Sequence, residues 1–396
     1  VKNIFVLTRL FPDDLNSIKG IFVENLLNNQ ALDKRFNFLV NVPIPYTNYF
    51  ISRFIGKKNK KWYKHTKIRT TSNFPIYYTR YLKLPKLYVI EWVTMLLSSY
   101  LFIKKNKIKV DIIHTHWLYP DACAAIALAK MLNVKVVVHN HEAEMSHHTD
   151  NKIIKKYLNF LLRRANLVIP VSDDAKIELI EKTEINIKDI NIEVIHNGVD
   201  ITKIHKIDKE FAREKVGFNK DITHFITVAT LKHKKGVDIA LRALAKFNQA
   251  HPDHNFEWHI IGEGDQKNEL LRLAKESKID DKIIFYGNLP YNDICFYMNA
   301  ADYFVLPSRH ESFGIVFLEA LICGIPVLGT KVGGIPEFVT RHAGILIDKD
   351  DVNQCYQGII NLINSEWDYG EISSYYSTNY SLDKFSKYIN DIYLKI

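Results

Sequence analysis

The stretch Asp302–Thr330, "DYFVLPSRHESFGIVFLEALICGIPVLGT", decides how the chain is built. An uncharged run from Tyr303 to Pro307 reads as a buried strand. A polar loop follows from Ser308 to Gly314, and the apolar run opened by Ile315 reads as a helix stopped by Gly324 and Pro326. "IPVLGT" is then the next strand. Two strands joined through a helix cannot pair as a hairpin, so they lie parallel in a sheet covered on both faces. Such sheets bind ligands beyond the carboxyl ends of their strands, where helix amino termini point outward. The loop places Glu311 there, and Glu319 lies about one turn inside the helix. Gly314 lets a ligand approach the backbone closely, and the free amides of Gly314, Ile315 and Val316 suit a phosphate.

The same alternation extends in both directions. "KNIFVLT", "VDIIHTH", "VKVVVHN", "NLVIPVS" and "IEVIHNG" read as strands of one series, interleaved with helical runs such as "PDACAAIALAKML". After Asn197 the pattern restarts with "HFITVAT", "FEWHIIGEG", "KIIFYGNL" and "DYFVLPS". The charged segment between, "GVDITKIHKIDKEFAREKVGFNKD", reads as a linker with a short helix. At roughly 100–200 residues per domain, 396 residues hold two or three domains. The expected fold is therefore α/β, two doubly wound Rossmann-like domains facing a central cleft. Residues 1–197, completed by a carboxy-terminal helix at 380–396, form the first domain and residues 198–379 the second. No run reaches the roughly 18 apolar residues of a membrane helix, and the amino terminus does not read as a secretory signal, so a cytoplasmic protein is expected. The four cysteines, Cys123, Cys295, Cys323 and Cys355, fall at unrelated spacings and are expected as buried thiols, not as a zinc or disulfide framework.

Across the expected cleft mouth, "TVATLKHKKGVDIALRAL" repeats the strand, loop and helix order with Lys235-Gly236 before its helix. Taken with "GEG" at 262–264, "FYGNLP" at 285–290, the Glu-x7-Glu element, "CGIPVLGT" and "GGIPE", this order resembles the retaining glycosyltransferases of family 4, which have the GT-B fold. The amino-terminal half is similar more loosely, through "KGIFVENL", "HTHWLYPDACAAIALA" and "IHNGVD". The resemblance implies an enzyme that moves a hexose-type sugar from a nucleotide sugar, UDP-linked by the family's commonest usage. The acceptor would be a glycan, a lipid-linked glycan or an anionic polymer of cell-surface polysaccharide synthesis. It also implies roles for residues. Glu311, Lys235 and His141 would act at the reacting centre, with Lys235 on the diphosphate and Glu319 on the ribose. Gly20, Thr230, Gly287, Asn288, Ser312, Phe313, Gly314, Ile315 and Val316 would complete the donor site. No metal and no cofactor are implied. Two departures stand out: Ala229-Thr230 replaces the family's Gly-Arg, and His141-Glu142-Ala143-Glu144 replaces its His-Gly-Ser-Asp.

Blander readings compete at several places. "GEG" is not followed by a third glycine at dinucleotide spacing and is expected as a structural turn. Asp348-Lys349-Asp350 spells a metal-transferase signature but follows "AGILI" in a charged loop, and is expected at the surface. His114 and His116 end a strand, where packing competes with substrate contact. Glu311 and Lys235 stand in a loop and at a helix start, so replacing them is expected to spare stability. A non-catalytic GT-B partner subunit and a sugar-nucleotide epimerase share the architecture; the loss of arginine at 230 favours the former, and Lys235, Glu311 and Glu319 argue against it.

The charge is uneven. The net value is +9, yet no acid occurs between Lys34 and Ile90. Arg53, Lys57, Lys58, Lys60, Lys61 and Trp62 lie in a run that holds eight lysines and arginines between Arg53 and Arg69. A solvated loop, a nucleic-acid patch and an anionic membrane surface all fit such a run. Without a recognition motif for nucleic acid, the inner membrane face or an acceptor on it is the sharper expectation.

Overall fold

The computed structural model describes residues 1–12, 20–46, 68–70, 73–84, 87–141 and 145–396. The basic run with Arg53, Lys57, Lys58, Lys60, Lys61 and Trp62 lies outside the described residues, as does Glu142-Ala143-Glu144. The chain divides into two compact units, Val1–His196 with Phe385–Ile396, and Asn197–Lys384.

The first unit holds strands β1 (Lys2–Leu7), β2 (Phe36–Tyr46), β3 (Ile68–Thr70), β4 (Pro75–Leu82), β5 (Ile112–Thr115), β6 (Lys135–Asn140) and β7 (Leu167–Pro170). They assemble in the order β3-β4-β2-β1-β5-β6-β7, with every neighbour parallel except the antiparallel edge strand β3. Without β3 this is the doubly wound order, and the direction of winding reverses between β1 and β5. "IEVIHNG", expected as a strand, instead makes a single bridge, Val168 to Ile192. Its neighbouring amides bond to β7 carbonyls without becoming a ladder of their own. The last residues of the chain join this unit through buried contacts. Tyr393 brings its hydroxyl to His114 Nδ1 at 2.5 Å, Lys2 Nζ donates to the Tyr393 carbonyl at 2.6 Å, and Gln30 donates to Asn390 at 3.0 Å.

The second unit is wholly parallel. Its strands are β8 (Thr223–Val228), β9 (Phe256–Ile261), β10 (Ile283–Gly287), β11 (Tyr303–Val305), β12 (Val327–Thr330) and β13 (Gly344–Ile347). The order is β10-β9-β8-β11-β12-β13, so the winding reverses between β8 and β11. Helices Val237–Ala250 and Ile315–Ile322 leave the two strands that flank this reversal. The second is buried from Phe317 to Ile322, which is why its sequence is apolar on every side apart from Glu319. The segment expected as a linker with a short helix holds the helix Lys209–Val216 and is anchored to the second unit at a few buried positions. Arg213, 6% exposed, donates to the Ala300 carbonyl and forms a paired contact with Asp302, and the Ile207 amide donates to Asn299.

Candidate functional site

The switch point of the second sheet gathers the acids and the lysine. Lys235 Nζ lies 2.6 Å from Glu311 Oε1, which also accepts from Ser308 Oγ at 3.0 Å. The pair is largely sequestered, the lysine side chain 17% and the glutamate 9% exposed. Its two loops are fastened together. Gly236 adopts φ 63, and a Cβ there would stand 1.9 Å from the Pro307 carbonyl oxygen, so only glycine lets the lysine loop lie against the strand end. Arg309 reaches back to Asp238 with both guanidinium nitrogens, at 2.7 and 2.8 Å, and to the His233 carbonyl at 2.7 Å, while its amide donates to the Lys234 carbonyl. The bidentate geometry makes Arg309 a strap between the loops.

Gly314, at φ 94, is the N-cap of helix Ile315–Ile322, and no side chain caps its first turn. The amides of Ile315 and Val316 thus open beside Glu311 with the positive end of the helix dipole behind them. Ser312 and Phe313 complete the loop; the Gly334 amide donates to the Ser312 carbonyl, and the Phe313 ring is buried against Phe338. Within the helix Glu319 is 7% exposed and accepts from the Tyr291 hydroxyl at 2.6 Å. Burial pushes its carboxyl up to about 7, against the opposing pull of the Tyr291 hydrogen bond.

The remaining expected residues of this unit lie on other loops. Thr230 is exposed on the loop after β8. Gly287, at φ 70, sits beside the Glu263 side chain, and Asn288 after it is exposed. The "GEG" turn is structural: Cβ atoms at Gly262 and Gly264 would stand 1.9 and 2.0 Å from the carbonyl oxygens of Ala229 and Leu231. Asp348 is exposed and bonds to Lys331 and Gln354, while Asp350 holds Arg309, so the Asp-x-Asp is spread over a surface loop.

In the first unit Gly20, at φ 66, is the N-cap of helix Ile21–Gln30, where a Cβ would stand 2.4 Å from the Leu10 carbonyl oxygen. His141 follows β6 and is 8% exposed. Its Nε2 lies 3.2 Å from His116 Nδ1, its ring stacks on His139, and Phe22 meets it edge-on. Strand alternation explains the gathering, since His114, His116, His139 and His141 fall on one side of adjacent strands. Burial, reinforced by the neighbouring rings, holds His116, His139 and His141 well below the usual histidine range, so this stack is neutral at physiological pH.

Sequence reasoning missed Tyr291, Ser308, Arg309 and Asp238 as parts of the site. Tyr291, Arg309 and Asp238 work through partners distant in sequence, whereas Ser308 bonds to Glu311 three residues on, at the Pro307–Ser308 strand end that the sequence did point to.

Comparison with known proteins agrees with this architecture. Residues 63–203 match the family described as Glycosyltransferase Family 4, and residues 208–379 match Glycosyl transferases group 1. N-acetyl-alpha-D-glucosaminyl L-malate synthase of Bacillus anthracis is 26% identical over 261 residues, 65% of this chain and 66% of that one. The alignment thus stops just short of two thirds of either protein. Sucrose-phosphate synthase from Thermosynechococcus elongatus superposes with a TM-score of 0.77 at 16% identity, covering 100% of this chain and 99% of that one. Anabaena HepE, solved in complex with UDP, does so with a TM-score of 0.73 at 19% identity, covering 100% of both. Likenesses at such identities speak for the fold alone, which is GT-B. With a Glycosyltransferase Family 4 domain followed by a group 1 glycosyl transferase domain, the chain belongs to the glycosyltransferases of the GT-B kind.

Proposed function

We propose that the chain transfers a hexose-type sugar from a nucleotide sugar, UDP-linked, to a glycan, lipid-linked glycan or anionic polymer acceptor, with the anomeric configuration retained. The observation that carries this reading is the Lys235–Glu311 pair at the switch point, set beside a helix amino terminus that no side chain caps. A diphosphate placed there meets the lysine and the amides of Ile315 and Val316 together. As the bond from the anomeric carbon to the diphosphate oxygen breaks, charge grows on the leaving phosphate, and these donors oppose it without rearranging. Release of Lys235 to the phosphate frees Glu311 Oε1 to accept from sugar hydroxyls and to face the positive charge developing on the ring. Glu319 accepts from the ribose. The acceptor oxygen attacks from the face that the diphosphate leaves, and a phosphate oxygen takes its proton. In the first unit, burial keeps His141 neutral, so it would meet a ligand as an uncharged hydrogen-bonding group.

UDP as the base agrees with the complex of HepE, and no step requires a metal. Thr230 leaves the diphosphate without the arginine of the family pattern, and Arg309 does not replace it because Asp238 and Asp350 engage it. Leaving-group stabilisation therefore rests on Lys235 and the helix terminus.

A thermal-shift panel of sugar nucleotides, followed by product NMR with glycan acceptors, tests the reading. One nucleotide at 100 times its Kd raises stability by about 2.7 kcal/mol, and the first product keeps the donor's anomeric configuration with EDTA present. An inverted linkage, or conversion of the donor sugar with no acceptor, overturns it in favour of an inverting transferase or an epimerase.

A further inference from the structure

At the other end of the same strands, away from the switch-point loops, His224, Glu257 and His259 converge on one face of the sheet. His224 and Glu257 are register partners near the start of β8 and β9, and His259 stands two residues on, so alternation turns all three to the same side. His224 Nδ1 lies 2.8 Å from His259 Nε2. A single Glu257 oxygen, Oε2, stands 3.7 Å from the first nitrogen and 3.5 Å from the second. A triangle with those sides has its centre about 2 Å from every corner, the length of a zinc bond to imidazole nitrogen or carboxylate oxygen.

The far sides of both rings are held as metal-bound imidazoles require. His224 Nε2 faces the Asn219 carbonyl at 2.7 Å, which fixes its proton there and leaves Nδ1 as a lone pair. His259 Nδ1 faces the Tyr286 hydroxyl at 3.1 Å, a group able to donate or accept. Phe218 lies nearly parallel to both rings, its centroid 4.5 Å from His224 and 3.7 Å from His259, and fixes their planes. Both histidines are buried, and burial holds each below the usual histidine range, so neither ring carries a charge to repel a cation. The nearby Arg213 guanidinium is engaged by Asp302 at 2.8 Å. Glu257 is 35% exposed and gives an ion its way in from solvent.

We propose that His224 Nδ1, His259 Nε2 and Glu257 Oε2 form a binding site for a divalent transition metal of the zinc class, with solvent in the fourth position. In the metal-free chain His259 Nε2–H donates to His224 Nδ1 and Tyr286 donates to His259 Nδ1. Metal binding moves the His259 proton to Nδ1, where Tyr286 becomes its acceptor and turns its own hydrogen outward. The rings lose no proton, and every polar atom keeps a partner in both states. The site is structural: it ties β8 to β9 at the end opposite the proposed chemistry, and it is separate from the buried histidines around His141.

The test uses the full chain stripped with EDTA and dialysed, then titrated with Zn2+ and with Co2+ as a coloured probe. Expected are one equivalent bound, a visible Co2+ band, a raised melting temperature with Zn2+, and a move of the His259 proton from Nε2 to Nδ1 by nitrogen NMR. Glu257→Gln, at a partly exposed position that the fold tolerates, weakens binding at least tenfold. Tyr286→Phe, which removes the outer hydrogen bond, weakens it by about tenfold or more. Should His259→Asn fail to fold, Glu257→Gln decides alone. No binding by the wild type at micromolar metal overturns the site, and so does binding unchanged in Glu257→Gln, which would place the ion elsewhere in the chain.

Discussion

Lys235 and Glu311 shield each other from water, so neither can be altered alone without stranding its partner. Removing one member of a buried pair costs on the order of 3 kcal/mol because the other charge stays desolvated. The contact at 2.6 Å and the low exposure of both side chains therefore correct the expectation that these substitutions spare stability. Lys235→Ala is expected to lower stability by about that amount and transfer by at least about 100-fold, the scale of losing one preorganised oxyanion donor. Glu311→Gln keeps a hydrogen-bonding partner for Ser308 and Lys235, so it loses activity with a smaller stability change. The double variant is less destabilised than the sum of the singles, which urea melts of all four proteins measure; additive losses would mean the pair is not coupled. Glu319 gives a pH dependence with a definite sign. The folded chain keeps its proton up to about pH 7, whereas an unfolded glutamate releases it near 4.5. Between those values the folded state binds more protons, so this contribution is complete at low pH and is lost as pH rises through 7, by roughly 3 kcal/mol in all. Wild-type stability should thus fall relative to Glu319→Gln from pH 4.5 to 8, and parallel pH curves for the two would refute the burial argument.

Glycine contrasts show what an element contributes beyond its residues. Gly236 and Gly217 both adopt positive φ, at 63 and 77, and both end a helical turn. A Cβ at Gly217 meets nothing within 4 Å, whereas one at Gly236 meets the Pro307 carbonyl oxygen at 1.9 Å. Gly217→Ala should therefore cost only about 1 kcal/mol of left-handed strain and leave transfer intact. Gly236→Ala must push the lysine loop off the strand end, so it should lower kcat well beyond its effect on melting temperature; equal kinetics in the two variants would detach the loop from the site. The parts of this arrangement legible in sequence were local ones. The strand, loop and helix from Tyr303 to Ile322 follow from an uncharged run, a polar loop and Gly314, and the shape of "GEG" follows from glycine spacing. Strand β2 is not legible in sequence, because "FNFLVNVPIPY" carries two prolines that argue against a central strand. The register resolves this: β1 pairs with β2 as far as Asn41, so Pro43 and Pro45 lie past that ladder, where among the described residues only β4 runs alongside. Strand β4, "PIYYTRYL", is hard to read in sequence because its alternation is shallow and its neighbours are lysines. The Glu319–Tyr291 bond joins two helices and the Arg309–Asp238 strap joins a loop to a helix, and both were beyond any local pattern because only the sheet order brings their partners together.

On the scale of the whole molecule the unexplained quantity is where the positive charge lies. The chain carries +9, and the tract from Lys34 to Ile90 has no acid to offset its lysines and arginines. No helix among the described residues is long and apolar enough to cross a membrane. Directly after the tract, helix Glu91–Lys105 exposes Leu97 and Leu101, 51% and 64% accessible, and ends in Lys104 and Lys105. Apolar side chains beside lysines suit the boundary between headgroups and acyl chains, where each basic residue near an anionic surface adds about 1 kcal/mol, screened over about 8 Å at physiological salt. A few engaged residues then suffice for reversible attachment, which would bring a lipid-linked acceptor to the enzyme. In liposome sedimentation the chain should bind anionic but not neutral vesicles and release as salt rises. Changing Lys57, Lys58, Lys60 and Lys61 to Ser should weaken binding by several kcal/mol at low salt while transfer to a soluble acceptor persists. Leu101→Glu, at an exposed position, should weaken it further without changing the melting temperature. Should the wild type ignore anionic vesicles, or the quadruple variant bind them as well as the wild type, the basic tract is a solvated surface and the acceptor reaches the site from solution.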